Sequence, residues 1–395
     1  MSRFKLFNGK IVTPYRIIQN GCVLVENGLI KAVEETDVKV EGFKEIDAKG
    51  NYISPGFIDI HTHGGGGHDF LDGTKTAYLG AAELHAAHGT TALVPTATSG
   101  TNEEFKKTLQ AFEEAKKSNE KGAELLGLHM EGPYFSMEQR GAQDPKYIRN
   151  PEPEEYEEIC SMSDDILRWS SAPELPGSFR FARYLTERGI LPAIAHSNAT
   201  YEIVLKAFES GYRLITHLYS GMSGVHRINA YRYAGVIESA YLIDEMPVEV
   251  IADGAHLPAS LLKLIYKIKG PDKIALVTDS MRAAGMTEGE SFLGSLEKGQ
   301  KVIVEDGVAK LPDRTAFAGS VATTDRLVRT MINLADVPLT DAVKMMTATP
   351  AAIMGIEKRK GSILPGKDAD LVIFNDNIDI KLTMVNGRVV YRSED

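Results

Sequence analysis

The chain has 395 residues, 43% hydrophobic and 25% charged, with a net charge of −10 and two cysteines, Cys22 and Cys160. An ordinary globular composition allows a large buried core, and an acidic balance without a Lys/Arg-rich block excludes nucleic acid or an anionic membrane as partner. No apolar run is long enough to cross a membrane, two cysteines cannot staple so large a protein, and the N-terminus lacks a signal-peptide pattern, so a cytoplasmic protein is expected.

Residues 1–54 read as short strands over 4–7, 11–12, 21–26 and 29–34, with Asn8-Gly9 and Asn27-Gly28 as hairpin turns. From residue 57 the pattern changes: apolar runs at 57–60, 91–95, 125–130, 167–172, 191–195, 214–216, 248–252 and 274–278 alternate with helix-period segments such as 74–88, 103–117, 179–188, 201–210 and 259–267. The acidic stretch 151–158 reads as a solvated segment opening a helix. Helices continue at 323–334 and 339–345, with another opening at Thr349-Pro350. Strands return at 370–374, 380–385 and 388–391, the last two joined by Asn386-Gly387. This alternation predicts an α/β fold: a (β/α)8 TIM-type barrel over 55–355, with a small β-sandwich domain built from both termini, 1–54 and 356–395.

In such a barrel, chemistry gathers where the strands end. The first predicted strand ends in His61-Thr62-His63, followed by Gly64 to Gly67. Residues two apart on a strand point the same way, so both rings are able to meet one cation, and the glycines let the backbone turn sharply. Later strands end in Glu131, His196, His217 and Asp279. A lone strand-end histidine is more often a hydrogen-bonding residue than a ligand. Six metal-competent side chains on one barrel face are a stronger sign. Imidazole and carboxylate without thiolate suit a divalent ion (Zn, Fe, Mn or Co) with open positions for water. Such an ion acidifies water, and Asp279 is the candidate catalytic acid/base, whether or not it is also a ligand.

Phe57-Ile58-Asp59-Ile60-His61-Thr62-His63-Gly64, His129-Met130-Glu131-Gly132-Pro133, Ala195-His196-Ser197, Thr216-His217-Leu218-Tyr219, Ala252-Asp253-Gly254-Ala255-His256 and Val277-Thr278-Asp279 resemble the N-acetylglucosamine-6-phosphate deacetylases of the amidohydrolase superfamily. The likeness runs the length of the chain, and Glu-Gly-Pro is the feature that narrows it. It implies a main metal site at Glu131, His196 and His217, and a second at His61 and His63 shared with Glu131 and Asp279. The implied reaction is hydrolysis of the N-acetyl amide of a phosphorylated N-acetyl amino sugar by a homodimer.

The same resemblance implies substrate contacts from Gln143, Ser220, Gly221, Arg227, His256 and Ser320, with Arg232 a second phosphate candidate. Here the chain departs from the family. Ser220-Gly221 stands for the common Asn-Ala, and Gln143 for a histidine that helps polarise the acetyl carbonyl. An N-acetylgalactosamine or N-acetylmannosamine phosphate is therefore an alternative substrate. His129 is read as supporting the ligands, His85 and His88 as packing or surface residues, and His68 as at most a minor substrate contact. A different amidohydrolase reaction is the second enzymatic reading, and the absence of lysine from Ser170-Ser171-Ala172-Pro173-Glu174 counts against the cyclic-amide group. A non-catalytic barrel scaffold is the third, opposed by the full ligand set.

Overall fold

The apolar runs of the central region all become buried strands in the computed structural model, which describes residues 2–394. Phe57–Thr62, Thr90–Ala97, Leu128–Glu131, Ile166–Ser171, Leu191–Ile194, Leu214–Ile215, Val248–Val250 and Ile274–Leu276 follow one another in parallel around a barrel. The third strand has a short forerunner, Glu124–Leu125, that also pairs with the second. Gly127 lies in the break, where a Cβ would meet Leu167 Cγ at 2.4 Å and the Asp165 carbonyl oxygen at 2.6 Å. The seam between the eighth and first strands closes through single bonds. Asp279 N–H donates to the His61 carbonyl at 2.9 Å, and His63 N–H to that of Ser280 at 2.8 Å.

Inside the barrel, Ile58, Ile60, Ala92, Val94, Ala193, Leu214, Ala275 and Val277 form an apolar plug. Outside it, the helices bury their apolar stripes against the strands. Trp169 of the fourth strand meets Phe181 of helix Ser178–Glu187 edge-to-face at 5.2 Å. Each fully buried side chain of this kind contributes about 1.5–3 kcal/mol. Local chemistry starts the helices: Thr74 Oγ1 accepts from Ala77 N–H ahead of Lys75–Ala87, and Thr101 with Glu104 forms a capping box ahead of Asn102–Ser118.

Both termini contribute to one further sheet. Arg3–Val12 pairs antiparallel with Ile17–Glu26 and in parallel with Lys44–Asp47 and Tyr52–Pro55. Tyr52–Pro55 in turn receives Leu371–Phe374 of the C-terminal region. Asn27-Gly28 and Asn386-Gly387 are hairpin turns as predicted, each with two positive φ angles. Asn8-Gly9 is not. Residues 3–12 form one strand in which Asn8 (φ 53°) and Gly9 make a bulge. Asn8 donates to Asp47 at 2.7 Å, and Gly9 lies where a Cβ would meet Ala48 Cβ at 2.8 Å, so the neighbouring strand presses the chain straight on.

Among the elements not anticipated, three bear on the candidate site. Helix Val236–Leu242 precedes the seventh strand, and the segment carrying Arg227 and Arg232 is a hairpin of His226–Ile228 and Tyr231–Tyr233. A four-stranded antiparallel sheet, Gly289–Leu293, Gln300–Glu305, Val308–Lys310 and Phe317–Ser320, follows the eighth barrel strand. Ser320 N–H bonds to the Asp279 carbonyl at 2.8 Å, which anchors this sheet to the mouth of the barrel.

Candidate metal centre and substrate cavity

The six predicted ligands reach the same point from five strand ends. His61 and His63 stand on one side of the first strand, as the two-residue repeat requires. His196, His217 and Asp279 have φ of 46°, 30° and 46°, a left-handed backbone that ordinary side chains avoid at a cost of about 1–3 kcal/mol. Flanking bonds hold the turns: Leu218 N–H to the Glu249 carbonyl at 2.8 Å, and Ser197 N–H to that of Gly221 at 3.1 Å. The fold therefore bends the chain unfavourably at three of the six positions to aim these side chains.

Glu131 is the hub. Its Oε1 lies 2.9 Å from His217 Nε2, 3.5 Å from His196 Nε2 and 3.6 Å from His61 Nε2, and its Oε2 lies 3.4 Å from His63 Nε2. Asp279 Oδ1 is 3.0 Å from His63 Nε2 and 3.5 Å from His61 Nε2. The ligand atoms fall into two triads, His61–His63–Asp279 and Glu131–His196–His217, each within 4.8 Å mutual separation. His61 Nε2 is buried without a hydrogen-bond partner, although it faces two carboxylates. A buried nitrogen lone pair beside two carboxylates is what a divalent cation would satisfy, so the residues fit a metal. A third acidic group, Glu124, Asp368 and Asp370, is filled by Lys360 Nζ, at 2.7, 2.9 and 2.5 Å respectively.

The electrostatics are those of a site awaiting positive charge. Burial pushes the Glu131 carboxyl up, but His61, His196 and His217 prevail and hold it well below the usual range. Asp279 is buried too, and His61 and His63 keep it below its ordinary value. For His63, burial opposes protonation, yet the bond to Asp279 and the charge of Glu131 win and raise it to about 9.

Behind the candidate ligands lies a buried polar layer, of which the sequence pointed only to His129. Glu249 Oε2 is 3.0 Å from His61 Nδ1 and accepts from His217 N–H at 3.3 Å, while Oε1 accepts from Arg168. His129 is not a ligand: Thr96 Oγ1 and Ser170 Oγ engage its two ring nitrogens at 3.1 and 2.7 Å. Burial, then Arg168 and His61, depress its pKa well below the usual value, so it stays neutral. His85 is buried as well, but its Nε2 lies 3.0 Å from the Gly64 carbonyl and so braces the glycine turn. The overlooked signal was a charge inside a buried run, as in Val248-Glu249-Val250 and Leu167-Arg168-Trp169.

The triads open into a cavity of about 310 Å³. Gln143, Ser220, Gly221 and His256 lie in its wall, with Tyr219 beside them. The inserted sheet adds Leu293, Ala316, Phe317 and Gly319, and the Phe317 ring leans on His256 at 4.6 Å. His256 is oriented by Asp253, whose Oδ2 is 2.8 Å from its Nδ1. Two predicted contacts are placed elsewhere. Ser320 is buried behind the wall and donates to Asp253 at 3.2 Å. Arg227 sits opposite Arg232 on the exposed hairpin, outside the cavity of its own chain. His68 does not line the cavity either.

With this geometry in place, likeness to known proteins becomes informative. The sequence profile of the amidohydrolase family matches residues 52–390. A protein of Haemophilus influenzae named N-acetylglucosamine-6-phosphate deacetylase is 33% identical over 388 residues, 98% of this chain and 99% of its own. One of the same name from Bacillus subtilis is 33% identical over 390 residues, covering 98% and 96%. The crystal structure of N-acetylglucosamine-6-phosphate deacetylase from Pasteurella multocida superposes with a TM-score of 0.91 at 30% identity, covering 99% of this chain and all of the other.

Proposed function

The chain belongs to the amidohydrolase family, and on that premise we propose that it hydrolyses N-acetylglucosamine 6-phosphate to acetate and glucosamine 6-phosphate. The observation that carries the proposal is the pair of ligand triads meeting at Glu131 on the floor of one cavity. In our reading Glu131, His196 and His217 hold one divalent cation (zinc, iron, manganese or cobalt), and His61, His63 and Asp279 a second. Bound there, a cation supplies Lewis-acid stabilisation of the carbonyl oxygen and acidifies a water.

The chain's own groups do the rest. Asp279, kept ionised, takes the proton as the water oxygen bonds to the acetyl carbon. It then returns that proton to the sugar nitrogen as the C–N bond breaks. Gln143 presents its amide N–H₂ end at the wall beside Glu131, while His256 and the backbone at Ser220-Gly221 face the sugar phosphate. The hairpin exposes Val225, Ile228 and Tyr231 beside Arg227, which supports a homodimer that covers this face. Two free, buried cysteines accord with a cytoplasmic enzyme. No helix among the described residues is long and apolar enough to cross a membrane.

The test is acetate release by metal-reconstituted protein from N-acetylglucosamine with and without its 6-phosphate, beside the galactosamine and mannosamine analogues. Preference for phosphorylated N-acetylglucosamine is the expected result. Release from another sugar alone overturns the substrate, and no release with metal bound overturns the reaction.

A further inference from the structure

We infer that Glu249 is a positioning residue that fixes the His61 ring for the His61–His63–Asp279 triad and is itself held by Arg168. The inference rests on the metal reading above and assigns a role to the layer beneath it. Glu249 stands in the middle of a barrel strand, with its side chain fully buried. A lone carboxylate there would cost several kcal/mol, so its partners explain its presence. Arg168, equally buried, donates to Glu249 and also to the Ile60 carbonyl at 3.1 Å and Thr216 Oγ1 at 3.2 Å. The guanidinium is thus tied to the first and sixth strands and leaves Glu249 little freedom.

The remaining oxygen of Glu249 decides the chemistry of His61. An ionised carboxylate only accepts hydrogen bonds, so the contact at 3.0 Å requires the His61 proton on Nδ1. Nε2 then carries a lone pair, and this is the buried nitrogen without a hydrogen-bond partner that faces Asp279 and Glu131. The other candidate ligands lack such backing. His63 Nδ1 and His196 Nδ1 lie against the backbone carbonyls of Thr96 and Gln139, at 3.2 and 2.8 Å, and His217 Nδ1 has no hydrogen-bond partner. A carboxylate behind an imidazole makes it a better donor to a cation, so removing Glu249 should weaken one triad selectively. The same Oε2 also receives His217 N–H, which ties the strand end of one triad to a side chain of the other.

The experiment is a Co²⁺ titration followed by visible absorption, comparing wild type with two double variants. Arg168→Met/Glu249→Leu removes the buried pair together and leaves no stranded charge. Arg168→Met/Glu249→Gln keeps an oxygen able to accept from Nδ1–H. Two Co²⁺ per chain are expected in wild type, with one of them bound about 10–100-fold more weakly in the Leu variant and the loss largely recovered in the Gln variant. Wild-type affinity for both ions in the Leu variant overturns the inference, as does equal loss of both ions in the two variants. Fewer than two ions in wild type overturns the two-ion reading itself and the inference with it. The ¹⁵N spectrum of the zinc-loaded wild-type protein gives a check independent of any variant: a proton on Nδ1 of His61 is expected, and one on Nε2 overturns the assignment.

Discussion

Gln143 donates its side-chain amide to Glu131 Oε2 at 3.0 Å, while its carbonyl accepts Ser99 N–H at 3.1 Å. A backbone N–H only donates, so this second bond dictates which end of the amide faces Glu131. Where the family resemblance implies a histidine that touches substrate, this chain has a neutral side chain attached to the hub of both triads.

Gln143→Leu leaves one oxygen of a buried carboxylate without its donor. A hydrogen bond to a charged group is worth about 1.5–3 kcal/mol. The variant should therefore lose roughly ten- to a hundredfold in kcat/KM, with a parallel loss of metal affinity by calorimetry. A change confined to KM would show that Gln143 acts on substrate alone.

Metal uptake should be pH-dependent with a defined sign. In the metal-free protein the pKa of His63 is raised from 6.5 to about 9, so below pH 9 a cation must displace its proton. Apparent affinity should rise with pH up to about 9 and then level off. The proton also stabilises the metal-free fold: that contribution is fully present below pH 6.5 and is lost as pH climbs through 9. Thermal melts of chelator-treated protein should show a Tm that falls between these limits, and the metal-loaded protein should lack this fall.

Asp279→Asn preserves shape and one oxygen but removes the base. The expected loss in kcat is roughly 10²–10⁴-fold, with the Glu131–His196–His217 ion retained by metal analysis. Wild-type turnover in this variant would rule out the acid/base role.

The Lys360 network makes a prediction about stability alone. Its ammonium is fully buried among Glu124 at the start of the third strand and Asp368 and Asp370 ahead of the C-terminal strands. Lys360→Met strands Asp370, while Arg359 still pairs with Glu124 and Asp368, and should cost about 3–5 kcal/mol in denaturant unfolding. Metal stoichiometry should not change, because the network lies at the opposite end of the strands.

The barrel was legible because its strands lie in buried, largely apolar runs, and the six candidate ligands were legible because they gather at the ends of those runs. The inserted sheet was not, since a strand like Gly289–Leu293 has no buried residue and carries no apolar alternation. Asn8-Gly9 misled for a different reason. The dipeptide favours positive φ, which serves a bulge as well as a turn, and only the strands packed alongside decide between them. Arg227 was placed by motif and lies instead on a hairpin facing solvent, because a motif fixes order along the chain and not the direction of a loop. Glu249 and Arg168 were readable in principle, as charges in the middle of buried strands, but neither belongs to a motif.

The pairing of Tyr52–Pro55 with Leu371–Phe374 has a consequence for how the protein is made. The first of these strands leaves the ribosome before any of the barrel, and the second only after all of it. Throughout synthesis of the barrel, the N-terminal strands therefore offer an open edge to any passing β-segment. Their partner arrives only after the whole barrel, so sealing of that edge reports on a completed barrel, and a truncation that spares every candidate ligand would still leave the nascent protein prone to aggregate.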